Sequence, residues 1–155
     1  VLTRGSRTIE ILYLGRGHTA GDLVVHLPQE GIVATGDLVV FPIPLVGGDQ
    51  SFVAEWSRTL EKVIGLNPKV IVPGHGPIMR DTAYLRSMAD LFASITKQVK
   101  AAADAGQSLE QVRKSVNLDE FRQTFAGDSQ LKRFLFANYV TGPAVTSAFR
   151  AARHP

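Results

Sequence analysis

Gly15–Pro28 reads GRGHTAGDLVVHLP, with His18 set in a glycine turn just ahead of an apolar run. Leu23–Leu27 (LVVHL) carries the residues of a strand, and Pro28 ends it because proline cannot donate to a ladder. Working outward, Thr8–Leu14 (TIEILYL) is a preceding strand, broken by Gly15-Arg16-Gly17. Downstream, Gly31 marks a turn and Ile32–Thr35 (IVAT) a third strand that ends at Gly36-Asp37. Leu38–Phe41 continues it briefly before Pro42, Pro44, Gly47 and Gly48 impose a loop. Val53, Trp56, Leu60 and Ile64 then recur at helical spacing within Ser51–Gly65. Val70–Val72 is a short buried strand that runs into PGHG, Pro73–Gly76. Strands, loop, helix and strand in this order place the chain in the α/β (α+β) class.

The remainder is helical. Leu85, Met88, Phe92, Ile95, Val99 and Ala102 keep the helical period between Thr82 and Ala105, with Asp81 as N-cap and Gly106 as the stop. Ser108 and Gln111 fit a capping box opening a second helix. Asp128 or Ser129 caps a last one, which Gly142-Pro143 breaks or kinks. Residues 1–80 are thus expected to form a sheet unit and residues 81–155 a helical region packed on it.

At 155 residues the chain can bury one ordinary core. Its composition, 45% hydrophobic and 20% charged, is that of a water-exposed globular protein, and no apolar run approaches membrane-spanning length. No signal peptide is visible, which leaves bacterial cytoplasm and periplasm both open. The net charge of +3 is interspersed, without the basic stripe of a nucleic-acid binder. With no cysteine, metal ligation would fall to histidine and carboxylate. The chain opens at Val1 directly ahead of a strand pattern, which reads as a processed or truncated product.

Three places share one arrangement: His18 in GRGHT, Asp37 in TGD and His75 in PGHG each follow an apolar strand and sit among glycines. Side chains at strand ends converge easily at one sheet edge. An Asp after a strand-ending Gly is also an ordinary turn residue, as is a lone His in such a loop. Pattern alone leaves both readings open.

GRGHTAGDLVVHLP, followed by GIVATGDLVV and VIVPGHGP, resembles the second half of the metallo-β-lactamase superfamily fold over roughly Ile9–Pro77. The resemblance implies that His18, Asp37 and His75 are metal ligands, with His18 serving one ion, His75 the other, and Asp37 bridging them as the catalytic carboxylate. It implies two zinc ions, with manganese or iron as alternatives, and a water that loses its proton between them to become the nucleophile. It further implies half of a four-layer αββα sandwich, a mixed sheet covered by helices with a helical C-terminal extension. The tail FLFANYVTGPAVTSAFR is similar to the ends of bacterial superfamily members.

The departures are as informative. The superfamily's upstream H-x-H-x-D-H motif is absent, and the four histidines, His18, His26, His75 and His154, cannot rebuild it. The chain is therefore expected to hold metal partially or not at all, to be inactive alone, and to represent the C-terminal part of a hydrolase of a small ester, lactone, thioester or amide. The alternative is a non-catalytic metal-binding or self-assembling domain. Half a sandwich exposes a sheet face, which a second copy or an N-terminal half would cover. Zinc β-lactamases of the commonest subclass place Cys at Asp37 and Lys at Val40, and glyoxalase II enzymes place a second His near Asp22; both substrate readings are weakened. Asp22 and Thr19 are turn residues that brace the His18 loop, and His26 packs within its strand. Arg16 is either a solvated charge or an anion contact. Phe41–Gln50 either shapes a pocket or merely connects. His154 stands beside the terminus, where only an oligomer would order it. The substrate-binding residues are not named by the sequence.

Overall fold

The computed structural model of the chain describes residues 1–153. His154 lies outside the described residues, so its expected role is not addressed. A mixed sheet of five strands runs in chain order: β1 Leu2–Arg4, β2 Arg7–Leu12, β3 Val24–Leu27, β4 Ile32–Val40 and β5 Val70–His75. The first four are antiparallel neighbours, whereas β4 and β5 pair in parallel through the crossover helix α1, Val53–Gly65. A parallel pair needs such a crossover, and the helix supplies one face of cover.

β4 continues through Gly36-Asp37 to Val40, as the run Leu38–Phe41 implied, with its register to β5 shifting between Ala34 and Gly36 and again before Val40 pairs His75. Gly36 takes φ +53, a conformation that costs glycine little. The irregularity holds because Leu38, Val39 and Val40 beyond it are buried strand formers. At the other edge of β5, Ile71 and Met79 exchange backbone hydrogen bonds of 2.9 Å, which blunts an otherwise open strand.

Alternation along the strands separates two faces. Val24, Val33 and Ile71 are fully buried beneath helices. Between them lies a second row in direct register, Ile11, Val25, Ala34 and Val72, which no helix covers; Ile11 is 50% and Val72 37% exposed. The expected open apolar face is present.

The covered side is one continuous core. Trp56, Leu60 and Val63 of α1 meet Leu85, Met88, Phe92, Ile95 and Val99 of α2, Ala83–Asp104. Trp56 stacks on Phe92 with ring centroids 4.5 Å apart. Asp81 is one residue early for the α2 cap: Thr82 occupies that position without a side-chain bond, and Asp81 accepts from the Ala83 amide at 2.9 Å. The capping box of α3, Leu109–Ser115, forms as its sequence implies, and Ser129 caps α5, Gln130–Phe136. Helix α4, Asp119–Ala126, was not legible, because its polar sequence is held by long-range contacts: Phe125 packs against Tyr84 and Phe136.

Gly142-Pro143 does not break the last helix. A wide π-type turn, Ala137–Thr141, leads into α6, Gly142–Arg153. Pro143 has no N–H for the carbonyl four residues earlier and crowds it, so the turn widens there. The orphaned Tyr139 carbonyl accepts instead from the Val46 amide at 3.0 Å. None of the described helices is long and apolar enough to cross a membrane.

Phe92→Ala should cost about 3–5 kcal/mol, since its ring is fully buried against Trp56, and denaturant unfolding would measure the loss.

Candidate functional site

The loop between β2 and β3 has no regular structure, yet several of its carbonyls are fastened to α1 and to the two residues ahead of it. Lys62 Nζ donates to Leu14 O at 2.6 Å, Thr59 Oγ1 to Arg16 O at 2.7 Å, the Phe52 amide to Gly17 O at 2.8 Å and Ser51 Oγ to His18 O at 2.8 Å. Ser51 is fully buried and its oxygen also accepts from the Gly47 amide at 2.8 Å. Asp22 closes the far side, accepting from the Thr19 amide at 3.0 and 3.1 Å and from Thr19 Oγ1 at 2.7 Å. Thr19 and Asp22 are therefore the bracing turn residues expected of them.

Within this frame the His18 ring is aimed. Its Nδ1 donates to Leu45 O at 3.0 Å, which fixes the proton on that nitrogen and leaves the Nε2 lone pair free. The Trp56 indole meets the imidazole edge-on, centroids 5.8 Å apart, while Trp56 Nε1 donates to Leu38 O at 3.2 Å beside Asp37. His18 Nε2 lies 3.9 Å from Asp37 Oδ2, and His75 Nε2 lies 3.5 Å from Asp37 Oδ1.

The three residues converge, although not as three strand ends. Only His75 ends a strand; His18 sits mid-loop and Asp37 inside the irregular stretch of β4. Gly74 makes the convergence possible. A Cβ there would collide with Asp37 Oδ1 and stand 2.7 Å from the Gly36 carbonyl carbon, so the space belongs to the carboxylate.

The donor set suits zinc: two neutral imidazoles and a carboxylate, with one carboxylate oxygen toward each ring. Ligand atoms about 2.0–2.2 Å from a tetrahedral zinc stand about 3.3–3.6 Å apart. The His75–Asp37 separation of 3.5 Å falls within that span, and the His18–Asp37 separation of 3.9 Å is slightly wider. Among the described residues no group of three His, Asp or Glu side chains closes on a single ion, because the two imidazoles address opposite oxygens of Asp37. The arrangement offers two partial coordination sites, each lacking further ligands.

A model of the metallo-beta-lactamase superfamily matches residues 2–75, a span that holds His18 and Asp37 and ends on His75. Over these residues the chain is similar to the metallo-beta-lactamase superfamily. A metallo-beta-lactamase type 2 of Bacillus cereus is 38% identical over 78 residues, 48% of this chain and 30% of that protein. Among solved structures, the DIM-1 metallo-beta-lactamase superposes with a TM-score of 0.50 at 26% identity, over 59% of this chain and 47% of its own. The metallo-beta-lactamase FIM-1 of Pseudomonas aeruginosa, in its mono-zinc form, gives 0.50 at 25% identity, over 60% and 45%. The chain thus spans less than half the length of these superfamily relatives, and its five-stranded α/β sheet is theirs in part.

Other residues fall where the sequence left a choice. Arg16 does not point at the site: its guanidinium pairs with both Glu55 carboxylate oxygens and lies 4.3 Å over the Phe52 ring. That hydrogen bond raises its pKa further above the ordinary arginine value. His26 is packed, 8% exposed, with Nδ1 2.8 Å from Glu10 Oε2 across the sheet. Tyr84, whose hydroxyl burial pushes far up the scale, stays protonated and donates to Val40 O at 2.6 Å. The sequence reading missed the parts that aim the ligand loop. Ser51, Thr59 and Lys62 read only as polar helix positions, and Trp56 only as core; the sole signal was that the chain has one tryptophan.

Gly74→Ala should displace the Asp37 carboxylate and cost about 1–3 kcal/mol through overpacking. A destabilised unfolding transition with altered chemical shifts at Asp37 would show it. Ser51→Ala, which strands the His18 carbonyl and the Gly47 amide, should cost about 1–3 kcal/mol by the same assay.

Proposed function

We propose that this chain is the part of a metal-dependent hydrolase that carries one side of its metal site, acting on a small ester, lactone, thioester or amide. The observation that supports this reading most is the disposition of Asp37, whose two oxygens each face a different imidazole. His18, Asp37 and His75 would hold the metal, zinc in preference to manganese or iron. When bound, such an ion supplies Lewis acidity that makes water nucleophilic near neutral pH.

The chain's own residues prepare for this in definite ways. Leu45 O holds the proton of the neutral His18 ring on Nδ1, which turns the Nε2 lone pair toward Asp37. Asp37, about two-fifths exposed and flanked by two rings, carries negative charge to the place where a cation and a water would meet. His75, 66% exposed, is the ring open to solvent and to substrate. Nothing in this set supplies the further ligands of a closed site, so the chain alone should bind zinc weakly and turn over no ester.

The uncovered row Ile11, Val25, Ala34 and Val72 supports the second element of the reading, a partner on the open sheet face. That partner is a second copy of the chain or the N-terminal half of the sandwich. The same face favours the alternative, a metal-binding module that uses half of the fold for assembly. No nucleic-acid partner is proposed, since the charge is interspersed.

Zinc titrated into the purified chain by calorimetry should bind with micromolar or weaker affinity, and Asp37→Ala should abolish the heat. Undiminished binding in Asp37→Ala would overturn the ligand assignment. Light scattering should give at least twice the monomer mass, and a monodisperse monomer would overturn self-association. 4-Nitrophenyl acetate should be cleaved no faster than by zinc alone; turnover above that rate would favour a self-sufficient enzyme over a part of one.

A further inference from the structure

Beside His75 lies a cavity of about 280 Å³, walled on one side by the loop after β4 and on the other by the helical tail. Phe41, Ile43 and Leu45 contribute from the loop, Leu135 and Tyr139 from the tail, and His75, 3.5 Å from Asp37, also lines it. No acid, lysine or arginine lines it. This resolves the choice left for Phe41–Gln50, whose first half shapes a pocket.

The pocket is built in, because both walls are fixed. The Phe41 amide donates to His75 O at 3.0 Å, which holds the loop against the end of β5. Tyr84 anchors the Val40 carbonyl at 2.6 Å, and Phe41 packs edge-on against the Tyr84 ring. The far wall depends on the π-type turn. Because Pro143 cannot satisfy the Tyr139 carbonyl, that carbonyl takes the Val46 amide at 3.0 Å, and Tyr139 is tied to the loop it faces. Leu135 and Tyr139 lie beyond residue 75, outside the span shared with the superfamily model.

We infer that this pocket binds a neutral apolar group of the substrate, an aryl ring or a short branched acyl chain, and seats the bond to be cleaved beside His75 and Asp37. The inference rests on the hydrolase reading for the second clause alone. Size supports the class: a cavity of about 150 Å³ holds benzene, so a ring with a short linker fits here. Lining supports it too, since an anionic group would find no cation in the pocket, with Val40 at its mouth and Arg16 committed to Glu55.

Benzyl alcohol and, as polar control, acetate would be titrated into the metal-free full chain while amide shifts are followed by NMR. Benzyl alcohol should give saturable shifts confined to residues 40–46, His75 and 135–139, and acetate none. Leu135→Asp and Tyr139→Ser should each weaken binding about tenfold or more, as expected when a buried apolar contact is lost. Tyr139 is 46% exposed, so its variant keeps the test valid should Leu135→Asp fail to fold. Shifts scattered over the protein, an equal response to acetate, or full affinity in Tyr139→Ser would overturn the pocket. Zinc titrated into parallel samples reads the metal assignment separately at His18 and His75. Zinc binding without benzyl alcohol binding sinks only the pocket, and the reverse result sinks only the metal reading.

Discussion

The indole of Trp56 stands where four parts of the molecule meet. Its face stacks on Phe92 and so joins α1 to α2; its edge meets the His18 imidazole; its N–H holds the Leu38 carbonyl beside Asp37. A fully buried tryptophan must satisfy its single donor, and here the acceptor is backbone next to a candidate ligand. One side chain thereby links the packing of the core to the geometry of the site. Around it, Thr59 and Lys62 of the same helix, with Ser51 just ahead of it, hold carbonyls of the His18 loop. An irregular loop gains the rigidity of a helix terminus in this way, which is what holding a ligand in place requires.

The site is built asymmetrically. His18 is sheltered, its Nδ1 proton committed to Leu45 and its ring braced by Trp56. His75 is open to solvent, at the end of an edge strand and in the wall of an apolar pocket. Asp37 lies between, in space that exists only because residue 74 has no side chain. Such an arrangement fits one ligand that positions and one that meets substrate.

The sheet is covered on one face and open on the other. The central strands alternate between a row buried by helices and a row left bare, and the bare row Ile11, Val25, Ala34 and Val72 is apolar throughout. A sheet patterned for burial on both faces expects a second layer.

Much was legible in the sequence because it depends on neighbours in the chain. The capping box at Ser108, the Ser129 cap, the apolar stripe of α2 and the strand, helix, strand order around α1 are all local patterns with local causes. So was the trio His18, Asp37 and His75, through the glycines that frame each of them. What the tertiary structure alone decided is everything that acts across distance. The register of β4 against β5 shifts at Gly36, and α4 forms because Phe125 finds Tyr84 and Phe136. Arg16 turns from the site because Glu55 lies across from it, and Tyr139 reaches the pocket because Pro143 leaves its carbonyl to Val46. Local periodicity records which residues want burial or a turn; it holds no record of the partner, and partners decide where a side chain points.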